Sequence, residues 1–273
     1  MKKPLISVLM GIYNCSATLP EAIQSIQNQT VKNWELIICD DGSIDESWQI
    51  AEDFRKLDNR IILLRNSQNC GLNITLNKCL LTSRGEFIAR MDGDDRCLPE
   101  RFEKELNAFH QHPDISIVST DMEFFDETGV WGRISQPDNP KPGDLVRRSP
   151  FCHAACMIKR DALVTVGGYS VSNRLLRVED YHLWLKLYQA GYRGMNLHEA
   201  LYQMRDDRKA YHRRTLQNRL NESYVKSLVI KAFHLSPINY IYVIRPILVG
   251  MLPQIVYDVL HKKKLSNGIN NKK

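Results

Sequence analysis

The chain has 273 residues, 43% of them apolar and 25% charged, with a formal net charge of +6. That composition excludes a disordered or collagen-like chain, and the length suits one large α/β domain, or one domain with a C-terminal appendage. From Arg205 onward there are 14 basic and 4 acidic residues, against 23 basic and 27 acidic before it, so a mildly acidic body carries a basic tail suited to an anionic surface, either membrane or nucleic acid.

Leu5 to Tyr13 reads as a first strand, buried on both faces because its apolar residues do not alternate. Thr18-Leu19-Pro20-Glu21 is a capping-box pattern, followed by Leu19, Ala22, Ile23 and Ile26 on one helical face. A second strand covers Trp34 to Cys39. Ser43-Ile44-Asp45-Glu46 is a second capping box, opening a helix that buries Trp48, Ala51 and Phe54. Arg60 to Leu64 is a third strand, Gly71 to Leu81 a third helix and Glu86 to Ala89 a fourth strand. A helix from Leu98 to His110 presents Leu98, Phe102, Leu106 and Phe109 on one face. Strand alternating with helix in this way predicts a parallel sheet covered on both faces.

After His112-Pro113 the rhythm changes. Short β-like pieces at Ile115 to Val118, Met122 to Phe125 and Val130 to Ile134, with a loop rich in proline at Pro137, Pro140 and Pro142, predict an antiparallel extension. A strong helix runs from Glu179 to Ala190, with Leu183, Trp184, Leu187 and Tyr188 inward and Gly191 as its stop. From Thr215 the chain reads as helical and apolar, broken at Pro237, Pro246 and Pro253. The seven cysteines include no Cys-x-x-Cys pair, which predicts reduced, mostly buried thiols. Cys152 and Cys156 flank His153, but a zinc site needs a further ligand pair. Met1-Lys2-Lys3-Pro4 and the short strand after it lack the form of a secretory signal.

Chemistry concentrates at two strand ends. Asp92-Gly93-Asp94-Asp95 follows the fourth strand, and carboxylates so close repel unless something positive lies between them. Oxygen-rich clusters of this kind suit a hard divalent cation that shares substrate phosphates. Asp40-Asp41-Gly42-Ser43 follows the second strand in the same way, so one sheet edge gathers two acidic turns. Glu179 and Asp180 open the strong helix, where acidic residues also serve as plain caps.

These segments together resemble the family 2 glycosyltransferases, inverting enzymes with the nucleotide-diphospho-sugar transferase fold known as the A-type glycosyltransferase fold. The resemblance spans Ile6 to Arg205. It rests on the opening strand Ser7 to Asn14, on Asp40-Asp41-Gly42-Ser43, and on Asn69-Cys70-Gly71-Leu72-Asn73 with Asn77. It continues with Asp92-Gly93-Asp94 as a D-x-D motif, and with Gly167-Gly168-Tyr169 ahead of Glu179-Asp180-Tyr181-His182-Leu183-Trp184. Departures are Ile74-Thr75-Leu76 in place of an alanine-rich stretch, Gln203-Met204-Arg205 in place of Tyr-Arg, and Arg90 at a position often apolar.

The resemblance implies a mainly parallel α/β sheet flanked by helices. Residues 1–112 would bind the nucleotide-sugar, 113–212 would form the acceptor half of the same catalytic domain, and 213–273 a basic helical extension. It implies a nucleotide-diphospho-sugar donor, a UDP-sugar first, held by Tyr13, Asn14, Asp40, Asp41, Asn73, Asp92 and Arg205. Mg²⁺ or Mn²⁺ would sit at Asp94, with Asp92 and Asp95 assisting, and His153 would lie near a glycan or lipid-linked glycan acceptor. Asp180 would be the general base, oriented by Glu179 and favoured in its ionised form by the helix N-terminus. Arg205, Arg208, Lys209 and His212 are either a loop closing on the diphosphate or a solvated charge run. Ile238 to Leu260, followed by Lys262-Lys263-Lys264, predicts a surface-lying hairpin on an anionic membrane, with no nucleic acid partner and a cytoplasmic, peripheral location.

Other classes fit less well. A Rossmann dehydrogenase needs a glycine-rich turn where Gly11-Ile12-Tyr13-Asn14-Cys15-Ser16 stands. An aspartyl phosphatase needs its nucleophile after the first strand, and a nucleotidyltransferase needs a glycine-rich basic loop there. A sugar-nucleotide-binding module without catalysis would have no use for both Asp94 and Asp180.

Overall fold

In the computed structural model, which describes residues 3–206 and 215–250, the first half alternates strand and helix as its periodicity predicts. The elements are β1 (Ile6–Ile12), α1 (Leu19–Gln27), β2 (Trp34–Asp40), α2 (Ser47–Leu57), β3 (Ile61–Arg65), α3 (Leu72–Thr82) and β4 (Phe87–Asp92). The four strands are parallel in the order β3-β2-β1-β4. Strands buried on both faces need no alternation, because α1 and α2 cover one side of the sheet while α3 covers the other.

Beyond β4 come β5 (Arg96–Cys97), α4 (Arg101–Gln111), β6 (Ile117–Asp126), β7 (Gly129–Ile134), β8 (Cys156–Lys159) and α5 (Arg160–Thr165). They are followed by α6 (Glu179–Gln189), β9 (Gly194–Arg205), α7 (Leu216–Ala232) and α8 (Ile241–Gly250). Among the described residues nine strands join one sheet, continuing β4-β8-β6-β9-β5 with β7 beside β6. The extension is mixed rather than antiparallel throughout: β8 runs antiparallel to β4 and β6, but β9 is parallel to β6.

Several sequence expectations are corrected. The capping boxes do not form. The Thr18 hydroxyl donates to the Cys15 and Gly93 carbonyls. Ser43 is drawn into the acidic turn, accepting the Asn14 N–H, so α2 starts only at Ser47. Trp48 and Phe54 are half-buried, and the Arg65 guanidinium lies 4.8 Å over the Trp48 ring. Leu98 precedes α4, because its N–H pairs with the Leu201 carbonyl at the sheet edge. The two β-like pieces between Ile115 and Phe125 belong to the single strand β6. Its polar middle is tolerated because the Ser119 hydroxyl donates to the Cys152 carbonyl and Arg133 pairs with Asp121 at 2.6 Å. α5 and β9 carry no clear periodic signal in the sequence.

α6 ends as expected. Gly191 takes φ +90°, and the Gly191 and Tyr192 N–H groups return to the Tyr188 and Leu187 carbonyls, closing a Schellman motif. α7 is not an appendage: Val225, Val229 and Ile230 are buried in the same core as Trp184 and Leu187 of α6.

The opposite, N-terminal sheet edge is locked by Ser7, Glu35 and Arg84. The Ser7 hydroxyl donates to Glu35 at 2.6 Å, and the Arg84 guanidinium grips the same carboxylate at 2.6 Å. Gly85 passes so close that a Cβ would lie 2.5 Å from the Ser7 nitrogen. A backbone atom cannot rotate away, so Gly85→Ala is expected to cost about 1–3 kcal/mol and to lower the thermal midpoint by several degrees. An unchanged midpoint in thermal unfolding would show that this edge can shift freely.

Candidate active site

The register of the parallel strands places Asp40 opposite Ile12 and Asp92 opposite Gly11. Both acidic turns therefore emerge at one edge, in the crevice where open α/β sheets bind ligands. A chamber of about 700 Å³ there is lined by Asp92, Asp94, Asp95 and Asp180, together with arginines and part of α7. A second, of about 460 Å³, is lined by Tyr13, Asp41, Asn73 and Glu179 among others. Leu72, Arg177 and Asn218 line both, so the two form one cleft.

The first turn divides its labour. Asp40 is fully buried. It accepts the Ser43 N–H and pairs with Arg65 at 3.0 Å, so it braces its own turn and, unlike Asp41, lines neither chamber. Asp41 accepts the Cys70 and Gly71 N–H groups, both at 2.9 Å, and the Asn66 amide at 2.8 Å. It thus fastens the loop before α3 while lining the smaller chamber. Asn14, at φ +49°, accepts the Ile44 N–H, and Tyr13 is exposed at the rim. The Asn73 amide donates to the Ser170 carbonyl, and Asn77 brackets Tyr169 through both its N–H and its carbonyl. These asparagines stitch α3 to the Gly167-Gly168-Tyr169 loop.

In the second turn, Asp92 accepts a 2.5 Å bond from the buried Arg90 guanidinium, the positive charge that makes this cluster tolerable. Asp95 turns inward, taking the Tyr202 hydroxyl and the Arg205 N–H at 2.8 Å each. Burial and the charges of Asp92 and Asp94 push its carboxyl well above the usual range. With both oxygens engaged it is poorly placed to assist a metal, contrary to expectation. Arg205 also differs from expectation: its guanidinium pairs with Glu21, stacks 4.5 Å over Phe125 and donates to the Asp94 carbonyl. It holds the Asp94 loop. Arg208, Lys209 and His212 lie outside the described residues.

Asp180 accepts from the Ser149 hydroxyl at 3.3 Å, and its carboxyl is pushed up to about 7 by burial and by the Glu179 charge. That reverses the expected direction, because desolvation outweighs the helix N-terminus. Burial also raises Glu179. His153 lines neither chamber: it is half-buried, its Nε2 meets the Tyr169 hydroxyl at 2.8 Å beside Trp184, and desolvation holds it neutral. The buried Cys152 thiol is pushed up to about 12, and burial pushes up Cys156 too.

Among the described residues no group of three or more His, Cys, Asp or Glu side chains is arranged to hold a metal ion. Asp92 and Asp94 nevertheless face one chamber, and one or two carboxylates completed by substrate phosphates are a normal Mg²⁺ or Mn²⁺ donor set. The residues therefore fit a metal that arrives with a diphosphate. Sequence reasoning missed Arg148, Ser149 and Arg177, whose place in the cleft is set by loops without periodicity.

Comparison with known proteins bears on this geometry. The chain is 40% identical to EpsE of Bacillus subtilis (strain 168), a provisionally assigned glycosyltransferase, over 97% of this chain and 95% of that one. It is 32% identical to an Escherichia coli UDP-Gal:alpha-D-GlcNAc-diphosphoundecaprenol beta-1,3-galactosyltransferase, covering 95% of this chain and 96% of that one. Among solved structures, S. aureus TarS 1-349 in complex with UDP-GlcNAc superposes with a TM-score of 0.69 at 17% identity, over 90% of this chain and 71% of that one. The mannosyltransferase PcManGT from Pyrobaculum calidifontis, in complex with GDP-Man and Mn²⁺, gives 0.64 at 15% identity, over 97% and 80%. Residues 7–177 match the family described as Glycosyl transferase family 2, and the chain belongs to that family, a glycosyltransferase with the A-type fold.

Proposed function

We propose that this glycosyltransferase inverts configuration, moving a sugar from a UDP-sugar to a hydroxyl of a glycan or lipid-linked glycan during assembly of a bacterial O-antigen, capsule or exopolysaccharide. The chief support is that Asp180, Asp92 and Asp94 line one chamber, a proton acceptor facing the carboxylates suited to a leaving diphosphate. The galactosyltransferase relative, whose name specifies UDP-Gal and a diphosphoundecaprenol-linked acceptor, supports the substrate classes.

In this reading Tyr13, Asp41 and Asn73 line the smaller chamber around the nucleoside, with Asn14 bracing the neighbouring turn through the Ile44 N–H. Asp94 and Asp92 would hold Mg²⁺ or Mn²⁺, which supplies charge stabilisation to the departing diphosphate. Asp180 takes the acceptor hydroxyl's proton, and Glu179 tunes it through its charge. A carboxylate titrating near neutrality is a more effective base than one at its ordinary value.

Asp94→Ala is expected to abolish transfer and metal-dependent donor binding while leaving thermal unfolding unchanged. Near-normal turnover of that variant in chelator would remove the metal from the reading. Screening UDP- and GDP-sugars for metal-dependent thermal stabilisation identifies the nucleotide.

Asp180→Asn is expected to lower kcat by about two to four decades with donor affinity unchanged. Wild-type activity should rise with pH through about 7, as Asp180 loses its proton. The sign for stability is opposite. A carboxyl raised in the folded state favours folding while protonated, and that advantage is lost as pH rises toward 7. The asparagine variant should therefore gain stability relative to wild type between pH about 4 and 7. A parallel pH dependence in the two proteins would show that Asp180 is not buried as described.

The basic C-terminal part, in the same reading, rests on an anionic membrane surface at the cytoplasmic face. Among the described residues no helix is long and apolar enough to cross a membrane. α8 is apolar on both sides: Pro246 is buried, while Ile241, Ile244 and Leu248, with Ile238 just before the helix, are exposed. The expected continuation past Pro253 to Lys264 lies outside the described residues. Full-length protein should sediment with anionic vesicles at low salt, and Ile244→Glu with Leu248→Glu should weaken this without unfolding the chain. Indifference of the wild type to such vesicles would end the membrane reading.

A further inference from the structure

Two arginines in the larger chamber have no task in the chemistry above. Arg148 and Arg177 both line it with Asp180, and both are exposed. Among the described residues the other two arginines lining the chamber are paired: Arg205 with Glu21, and Arg219 with Glu222 at 3.4 Å. Among the described residues the Arg148 and Arg177 guanidinium groups make no hydrogen bond or ion pair. Arg177 also sits at φ +66°, a left-handed conformation that a non-glycine residue adopts rarely and that clusters at ligand sites.

Their positions indicate which substrate they face. Arg148 is adjacent to Ser149, whose hydroxyl touches Asp180, and a base must touch the acceptor. Arg148 lines only the larger chamber, whereas Arg177 lies where the two chambers meet. Two forked cations beside the acceptor hydroxyl complement a group bearing two adjacent phosphates, and a neutral glycan would leave them unused.

We propose that Arg148 and Arg177 form a clamp for the diphosphate of a diphosphate-linked acceptor, holding its terminal sugar against Asp180. This rests on the transferase reading but has its own readout. With the nucleotide site saturated by UDP and Mg²⁺, both in excess over the added ligand, titration calorimetry of the full chain with inorganic diphosphate should show a second binding event. Arg148→Gln and Arg177→Asn should each weaken it about tenfold, the worth of one charge-assisted contact. Asparagine suits the left-handed backbone at 177, so the thermal midpoint should hold. In transfer assays the same variants should raise KM for a diphosphate-linked sugar on a short alkyl chain. KM for the nucleotide-sugar, and for the same sugar as a phosphate-free alkyl glycoside, should not move. Lysine at either position should restore part of the loss. Unchanged diphosphate affinity in both variants would overturn the clamp, as would a matching loss of UDP affinity, which would assign the arginines to the donor. Diphosphate binding that survives in a chain without transferase activity would sink the transferase reading and leave the clamp standing.

Discussion

Everything at this site depends on the register of β1 between β2 and β4. Ile12 lies opposite Asp40 and Gly11 opposite Asp92, so two turns far apart in sequence end at the same height. Side chains alternate along a strand with period 2, and a one-residue slip would send Asp92 to the other face. The same register brings carboxylates together, and Arg90 makes that tolerable. Its guanidinium is buried and donates to the Leu9 and Met91 carbonyls as well as to Asp92, tying β1 to β4 from inside. A buried cation left without partners would be strongly destabilising. Here a carbonyl from each of the two strands and the Asp92 carboxylate serve as its partners, leaving only its Nε without one.

The contrast between Asp180 and an ordinary helix cap is a matter of magnitude. A helix N-terminus stabilises a nearby carboxylate by about 0.3–1 kcal/mol, and about 2 kcal/mol at most. Raising a carboxyl from 3.8 to about 7 reflects about 4 kcal/mol in the opposite direction. Desolvation wins, aided by the charge of the adjacent Glu179. Glu105 behaves similarly: buried in α4, it is pushed up to about 7 even though Arg101 is its ion-pair partner at 3.2 Å.

α7 links these layers. Its apolar side enters the core beside α6 while Asn218, Arg219 and Glu222 line the larger chamber. Ser223 donates to the Val243 carbonyl, binding α8 to its outer side. The helix that walls the chamber therefore also carries the element with the exposed apolar stripe, so contact of that stripe with a surface would bear directly on the geometry of the cleft.

The sequence by itself determined the alternation of strands and helices, the two acidic turns and the start of α6 at Glu179, because each follows from apolar period and local turn chemistry over a few residues. Only the tertiary structure decided which of the marked side chains are bound up in holding the fold. Asp40, Asp95, His153 and Arg205 have the right chemistry, yet they are taken up by Arg65, Tyr202, Tyr169 and Glu21. Asp95 and Tyr202 lie 107 positions apart, as Asn73 and Ser170 lie 97 apart. Whether a carboxylate is spent on the fold or left for a ligand depends on such distant partners. Periodicity is a short-range property and does not record them.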